Sequence, residues 1–535
     1  MIKIVIADGL PPSALERLRH ADWMIDARQG RAPAELASDL EDADALIVRS
    51  ATKVTRELMD AAPKLRVIAR AGTGVDNVDV PAATSRGIVV MNAPGANSVS
   101  VAEHAMGLIL SLAGPVPAAD ASMKTGKWEK SKFAGAEIRS KTLGLVGLGK
   151  VGQEVASRAH AFEMKVMAHD PFISQQVAND LGVELVSLDD LCARADYISL
   201  HLPALPSTRH IFNAERFARC KKGIRIINTA RGELIDDAAL ADAIEKGQVA
   251  GAGLDVFDPE PPIEWRLPSM PQVVATPHIA ASTKEAQEQV GEETAAAVRD
   301  FLKDGVIRNA VNFPSVSMEE YKRLRPYLLL AKQLGSIVGQ MGEARIQGVG
   351  VRYYGALAAE QSPLLGSAVL EGVFGAILSS GGVTPVNARA VAAERGIELV
   401  ESRSSRPRNY TSLISVKLQT SDPGERWVEG TAFENGSLRL VLVDGVAVEA
   451  PLEGTLLIIS NTDQPGVIGA VGTLLGRHHV NIASFALGRN FECADCAIGV
   501  VNVDETPESL VTDQVLADIR KIPAIQSAFR VRLDR

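Results

Sequence analysis

The segment that most constrains this chain is Gly147-Leu148-Gly149-Lys150-Val151-Gly152, which directly follows the apolar run Thr142–Val146. A strand that enters such a turn and leaves as a helix has few folds open to it. Gly147 permits the sharp turn, and Gly149 admits backbone N–H groups to a pyrophosphate. Gly152 lets the helix Gln153–Phe162 pack close to the strand. The helix N-terminus adds unpaired donors and partial positive charge at the same point. A second strand, Lys165–His169, ends at Asp170, 23 residues past Gly147. A carboxylate there binds both ribose hydroxyls and repels a 2′-phosphate, so the pattern predicts NAD rather than NADP.

The remaining chain is long: 535 residues predict about three or four domains. A net charge of −9 argues against nucleic acid as the main partner, because phosphate backbones demand a basic face. No apolar run approaches the length that spans a bilayer, and Met1–Ala7 lacks the features of a signal peptide, so no membrane partner is expected. Four cysteines do not make a disulfide framework in a chain this long, which points to the cytoplasm. No resident metal is expected.

Residues 1–96 alternate apolar runs with helical patterns. Ile2–Ala7, Ala45–Val48 and Arg66–Ala69 read as buried parallel strands. Ser100 with Glu103 forms a capping-box signal that opens a helix to about Leu112. Residues 97–285 hold the dinucleotide unit, with later strands at Tyr197–Leu200, Ile224–Asn228, Gly253–Val256 and Val273–Thr276. The stretch 286–315 returns to the first unit, which predicts a nested α/β arrangement. Residues 316–450 begin helical and become β-rich, with hairpins at Asn435-Gly436 and Asp444-Gly445. Residues 451–535 read β-α-β-β-α-β.

Three motifs sit at strand ends of the dinucleotide unit: Asn228-Thr229-Ala230-Arg231-Gly232, Asp255-Val256-Phe257-Asp258-Pro259-Glu260-Pro261 and Thr276-Pro277-His278. Strand C-termini are where open α/β sheets bind ligands. Oxidising a 2-hydroxy acid with NAD needs a grip on the carboxylate, a base for the hydroxyl proton and a group that tunes the base. Arg231 grips a carboxylate bidentately. His278 titrates near neutrality and Glu260 orients it and raises its pKa. His104, His169 and His210 lack such company and read as structural, while His201 is placed at the adenine edge. Arg49 and Arg70 end adjacent strands and suit a phosphate dianion.

On these motifs, with Arg70-Ala71-Gly72-Thr73-Gly74-Val75-Asp76-Asn77-Val78-Asp79, Asn97-Ser98-Val99-Ser100-Val101-Ala102-Glu103 and Gly126-Lys127-Trp128, the chain resembles the D-isomer-specific 2-hydroxyacid dehydrogenases. The resemblance implies a Rossmann domain inserted in a flavodoxin-like substrate domain, then an α+β intervening domain and a ferredoxin-like ACT domain. It implies NAD-dependent oxidation of 3-phospho-D-glycerate to 3-phosphohydroxypyruvate, the first step of phosphorylated L-serine synthesis. The alternatives are glyoxylate or hydroxypyruvate reduction, and an NAD-sensing scaffold. The cofactor set it implies is Gly147, Gly149, Lys150, Val151, Gly152, Asp170, His201, Pro203, Thr208, Thr229, Ala230, Arg231, Asp255, His278 and Ala280. Asp255 is placed near the nicotinamide amide. Substrate contacts are Arg49, Ser50, Arg70, Gly74, Val75 and Asn97, with Lys130 reaching in from a partner subunit of a homodimer or homotetramer.

In the tail, Pro465-Gly466 precedes a helix, and Asp463 and Asn481 are expected to flank that turn. A helix N-terminus holds a carboxylate and Asp463 pairs with an ammonium, the two charged ends of an amino acid. The resemblance implies L-serine as inhibitor, contacted by Asn461, Asp463 and Asn481 across a subunit interface. Cys493 and Cys496 read as a plain loop with two thiols. Arg403, Arg406 and Arg408 read as a solvated basic loop.

Overall fold

The computed structural model describes every residue except 343, 361–362, 379–381, 407, 422–424, 490–495, 507–508 and 534–535. Four sheets follow one another along the chain. The first contains β1 (Ile2–Ile6), β2 (Trp23–Asp26), β3 (Ala45–Val48), β4 (Val67–Arg70) and β5 (Val89–Met91). All pairs are parallel, in the order β2-β1-β3-β4-β5. That is the flavodoxin-like order. Ala45–Val48 is apolar throughout because helices cover both faces of such a sheet. The strands β2 and β5 are additions to the sequence expectation. Trp23–Asp26 is not apolar throughout, and Val89–Met91 is a fully buried three-residue strand.

The second sheet contains β6 (Thr142–Val146), β7 (Lys165–His169), β8 (Glu184–Leu185), β9 (Tyr197–Leu200), β10 (Ile224–Asn228), β11 (Val249–Leu254) and β12 (Val273–Ala275). Its order, β12-β11-β10-β9-β6-β7-β8, reverses direction of winding between β6 and β9. That switch point is where doubly wound sheets take a dinucleotide. The helix Ser98–Ala113 carries the chain from the first sheet to the second. Leu108 and Leu112 press on Gly253 and Gly251 of β11. The helix Lys284–Asp304 returns, and its Ala295, Val298, Phe301 and Leu302 join Ile4, Ile47, Val67 and Met91 in the first core. The cofactor unit is therefore inserted in the first domain.

The capping box does not form. The helix begins at Ser98 with Asn97 as N-cap, one turn earlier than expected. Ser100 Oγ instead meets Thr283 Oγ1 at 2.6 Å, and Glu103 accepts from Arg158. Tertiary partners claimed both side chains that the local motif would have paired.

The third sheet is mixed: β13 (Ile346–Gly355), β14 (Glu398–Ser404), β15 (Ser412–Thr420), β16 (Arg426–Ala432), β17 (Leu438–Val443) and β18 (Val446–Pro451), ordered β14-β13-β15-β16-β17-β18. The helices Met318–Met341 and Leu364–Ile377 bury its apolar face. Both expected hairpins form, with positive φ at Gly436, Asp444 and Gly445. Arg403 and Arg408 are not simply solvated. They stack on Tyr353 and Tyr354 with guanidinium carbons 5.6 and 4.7 Å from the ring centroids.

The last sheet contains β19 (Thr455–Thr462), β20 (Asn481–Arg489), β21 (Cys496–Asp504) and β22 (Ile525–Arg532), antiparallel in the order β20-β21-β19-β22. With helices Val467–Arg477 and Asp513–Arg520 it completes the β-α-β-β-α-β pattern. Cys493 lies outside the described residues. Cys496 is disulfide-bonded, which corrects the reading of this residue as a free thiol. Among the described residues no single helix is long and apolar enough to cross a membrane.

Candidate active site

Parallel strands deliver all their C-terminal ends to one edge, and here the edges of the first two sheets face each other. Between them lies a cavity of about 550 Å³. Its lining includes Arg49, Ser50, Arg70, Asn97, Arg231, Glu260 and His278, with Arg70 the last residue of β4 and the others following β3, β5, β10, β11 and β12. The structure thus brings together the three residues expected to do the chemistry.

His278 Nδ1–H donates to Glu260 Oε2 at 2.6 Å. A carboxylate accepts only, so Nδ1 carries the proton and Nε2 keeps its lone pair for the cavity. The Glu260 hydrogen bond raises the His278 pKa above the usual imidazole value, against the opposing effect of burial. Glu260 is itself fixed, because its Oε1 accepts from Phe257 N at 3.1 Å. The His278 backbone lies in the left-handed region at φ 53. For a residue other than glycine this costs of order 1–3 kcal/mol, so the surroundings must hold it.

Asp255 does much of that holding. Its carboxylate accepts from Thr276 Oγ1 at 2.6 Å, Ile279 N at 2.8 Å and Ala280 N at 2.9 Å. Its carbonyl accepts from His278 N at 2.8 Å. Burial pushes the Asp255 pKa up, but hydrogen bonds from His104, Thr276, Ile279 and Ala280 outweigh it and keep the carboxyl below its usual range. Asp255 is fully buried. It acts on the loop that carries His278 rather than facing the cavity.

Arg231 follows a turn shaped by buried Asn228, whose side chain donates to Arg231 O and accepts from Ala230 N. The guanidinium donates to Ala230 O at 2.6 Å and lies 3.1 Å from Asp76 Oδ2. It reaches that point only because residue 74 is glycine; a Cβ there would collide with Arg231 Nη2. Among the described residues the N–H groups of Gly74 and Val75 have no acceptor. They stand beside the guanidinium as further donors for a carboxylate.

Arg70 is the most telling residue of the cavity. Its Nε is buried and has no hydrogen-bond partner. Burial, then the charges of Arg231 and Arg49, holds its pKa below the usual arginine value. Three guanidinium groups thus crowd one cavity with too few acceptors. Arg49 is positioned by Gln287, whose Oε1 accepts from Arg49 Nη2 while its Nε2 donates to Ala281 O at 3.0 Å. Asp8 accepts from Arg49 N and from Thr52. Lys53 also lines the cavity. Lys53 could have been noticed as a second cation in the Arg49 loop; Gln287, 238 residues from Arg49, left no such signal. Lys130 lies on the exposed turn Lys130–Phe133, outside the cavity of its own chain.

The cofactor side fits the expected dinucleotide. A Cβ on Gly147 would meet His201 O at 2.5 Å, and one on Gly152 would strike Gly147 O, so neither position admits a side chain. Asp170 Oδ2 accepts from Leu148 N at 2.8 Å, which anchors the acid to the glycine turn. Thr229 Oγ1 is buried without a partner. Lys150 Nζ donates to Pro94 O at 2.7 Å across the interdomain hinge. Thr208 Oγ1 donates to Pro203 O at 2.7 Å and shapes the neighbouring loop. His201 sits behind the turn, where burial drives its pKa down to about 4 and keeps it neutral.

The tail residues are not gathered in one chain. Asn461 of β19 pairs with Ala497 of β21, whereas Asn481 of β20 pairs with Asp504 at the other end of the same strand. At about 3.4 Å per residue the two ends are roughly 24 Å apart. Asn481 therefore does not flank the Pro465-Gly466 turn of its own chain, because helix Val467–Arg477 carries the chain the length of the sheet before β20 begins. Asp463 is already 3.1 Å from Arg489, Asn481 donates to Asp504, and Asn461 is buried and donates to Thr462 O.

Comparison with known proteins extends these findings. The D-isomer specific 2-hydroxyacid dehydrogenase NAD binding domain matches residues 106–280, the D-3-phosphoglycerate dehydrogenase intervening domain residues 323–444, and the ACT domain residues 455–524. The chain is 42% identical to the D-3-phosphoglycerate dehydrogenase of Methanocaldococcus jannaschii over 100% of both chains. It is 38% identical to that of Bacillus subtilis over 98% of this chain and 99% of the other. The crystal structure of D-lactate dehydrogenase from Aquifex aeolicus, complexed with NAD and lactic acid, covers 58% of this chain and 100% of its own, with 30% identity and a TM-score of 0.51.

Proposed function

This chain belongs to the D-3-phosphoglycerate dehydrogenases, NAD-dependent oxidoreductases, and we propose that Arg231, Glu260 and His278 oxidise 3-phospho-D-glycerate while Arg49 and Arg70 hold its phosphate. The observation that carries the substrate assignment is the buried, unpartnered Nε of Arg70 beside two more arginines. A phosphate dianion satisfies that donor and neutralises the crowded charge.

Arg231 with the N–H groups of Gly74 and Val75 binds the substrate carboxylate. His278 Nε2 takes the proton of the C2 hydroxyl as the C2–H bond breaks. The glycine turn, Asp170 and Thr229 would hold NAD, which when bound would supply the acceptor for the C2 hydride. The Glu260 carboxylate, hydrogen-bonded to Nδ1, stabilises the imidazolium that forms at His278. The product is 3-phosphohydroxypyruvate, with its phosphate still on Arg49 and Arg70.

The regulatory proposal is that L-serine binds at the ACT turn, its carboxylate at the helix start near Gly466 and its ammonium at Asp463. The separation of Asn481 from Asp463 in one chain supports a site completed by a second copy, and hence a homo-oligomer. An NADH-release assay with 3-phosphoglycerate, glycerate and lactate tests the core reading. Arg70→Ala should raise KM for 3-phosphoglycerate about 10- to 100-fold while leaving the unphosphorylated acids within a few-fold. Equal effects on all three acids would refute the phosphate assignment.

A further inference from the structure

The loop Thr276–Thr283 joins β12 to the return helix and carries His278. Two side chains of the helix Ser98–Ala113 grip its two ends. His104 Nε2 lies 3.0 Å from Thr276 Oγ1 and 3.4 Å from Asp255 Oδ1. Ser100 Oγ lies 2.6 Å from Thr283 Oγ1. Positions 100 and 104 are one turn apart and share a helix face.

The proton inventory settles the direction of these bonds. Thr276 has a single hydroxyl proton, and Asp255 Oδ1 at 2.6 Å accepts it. Thr276 Oγ1 then meets His104 as an acceptor, so His104 Nε2 bears a proton and donates. The result is a directed chain from His104 through Thr276 to Asp255. Asp255 in turn fixes Ile279 N and Ala280 N, the two residues after the base. The helix itself is rigid with the cofactor sheet, since Ala102, Ala105, Leu108 and Ile109 are buried in that core. It also begins at the hinge from the first domain, so it links the loop of His278 to the junction of the two domains.

We propose that His104, supported by Ser100, is a positioning residue for the base: it fixes the Thr276–Asp255 pair and so the placement of His278. This rests on the proposed role of His278 as the base. The clamp acts on alignment of the reacting groups, so its loss lowers kcat and spares the grip on phosphate and carboxylate. Misplacement of catalytic groups on this scale costs on the order of tenfold in rate.

The test uses the full-length protein and steady-state NADH formation from 3-phosphoglycerate. His104→Leu should lower kcat about tenfold with KM for 3-phosphoglycerate within about twofold. His104→Gln places an amide N–H where Nε2 stood and should recover most of that loss. Thr276→Val removes the middle hydroxyl without changing shape, and its effect should not multiply with that of His104→Leu. Ser100→Ala should give a smaller loss of the same kind. A His104→Leu enzyme with kcat unchanged, a His104→Gln enzyme as slow as His104→Leu, or losses that multiply in the double variant would each overturn the proposal. His278→Asn serves as the reference. If it retains kcat, the base assignment fails; if it is inactive while His104→Leu is unimpaired, only the clamp fails.

Discussion

The catalytic cleft and the tail are both built at strand ends, yet only the cleft gathers its groups within one chain. In the two parallel sheets every strand ends at the same edge of its sheet, so Arg49, Arg70, Arg231, Glu260 and His278 converge from the ends of five separate strands. In the antiparallel tail, successive strands point in opposite directions, and Asn481 falls at the far end of the sheet from Asn461 and Asp463. The charges differ in the same sense. The cleft leaves Arg70 Nε and Thr229 Oγ1 buried and unpartnered, whereas Asp463 and Asn481 have their own partners in Arg489 and Asp504. Parallel strands gather the five cleft residues in one copy; the antiparallel tail sets Asn481 at the end of its sheet away from Asn461 and Asp463.

The comparison can be broken first at its catalytic half. His278→Asn should lower kcat about a thousandfold, the range of a lost general base. A loss below tenfold would remove the cleft's claim to be self-sufficient. Next in size is Glu260→Gln, with a loss of about tenfold to a hundredfold and a change in pH profile. The base must be neutral to take a proton, so oxidation slows as pH falls through the raised His278 pKa. Without Glu260 the main raising cause is gone and burial, which lowers the pKa, remains. The acid limb of kcat/KM should therefore move to lower pH; a limb that stays in place would show that Glu260 does not tune the base. The same shift means the pair stabilises the fold below the usual imidazole value of 6.5 and loses that contribution as pH rises through the folded value.

The smallest effect sharpens the tail. Asp463→Ala and Asn481→Ala should each weaken serine inhibition about tenfold, as expected for loss of a polar contact to a charged group. Mixed oligomers of the two variants should regain part of it, because one of their paired sites has both native residues. Mixtures as insensitive as the separate variants would show that the two residues do not share a site.

Some of this architecture was legible before any fold was seen. The glycine turn and Asp170 lie within one βαβ unit, so their spacing is a local signal. The three strand-end motifs were readable because parallel α/β topology assigns strand ends to one edge. Other features left no such trace. Ser100 and Glu103 matched a local capping motif and yet served Thr283 and Arg158 instead. His104, read as structural, holds Thr276.

The chain's order of residues by itself determined the cofactor class, the three strand-end motifs that carry Arg231, Glu260 and His278, and the sequence of sheet types. Each depends on spacing over a few residues or on the alternation of strand and helix, which a linear string records. Tertiary structure alone decided what holds His278 in place and whether Asn481 meets Asp463 within one copy. The bonds from Ser100 and His104 to the catalytic loop span 183 and 172 residues. The tail depends on antiparallel register. Contacts at such separation create no period or motif, because the residues meet only after the intervening chain has packed.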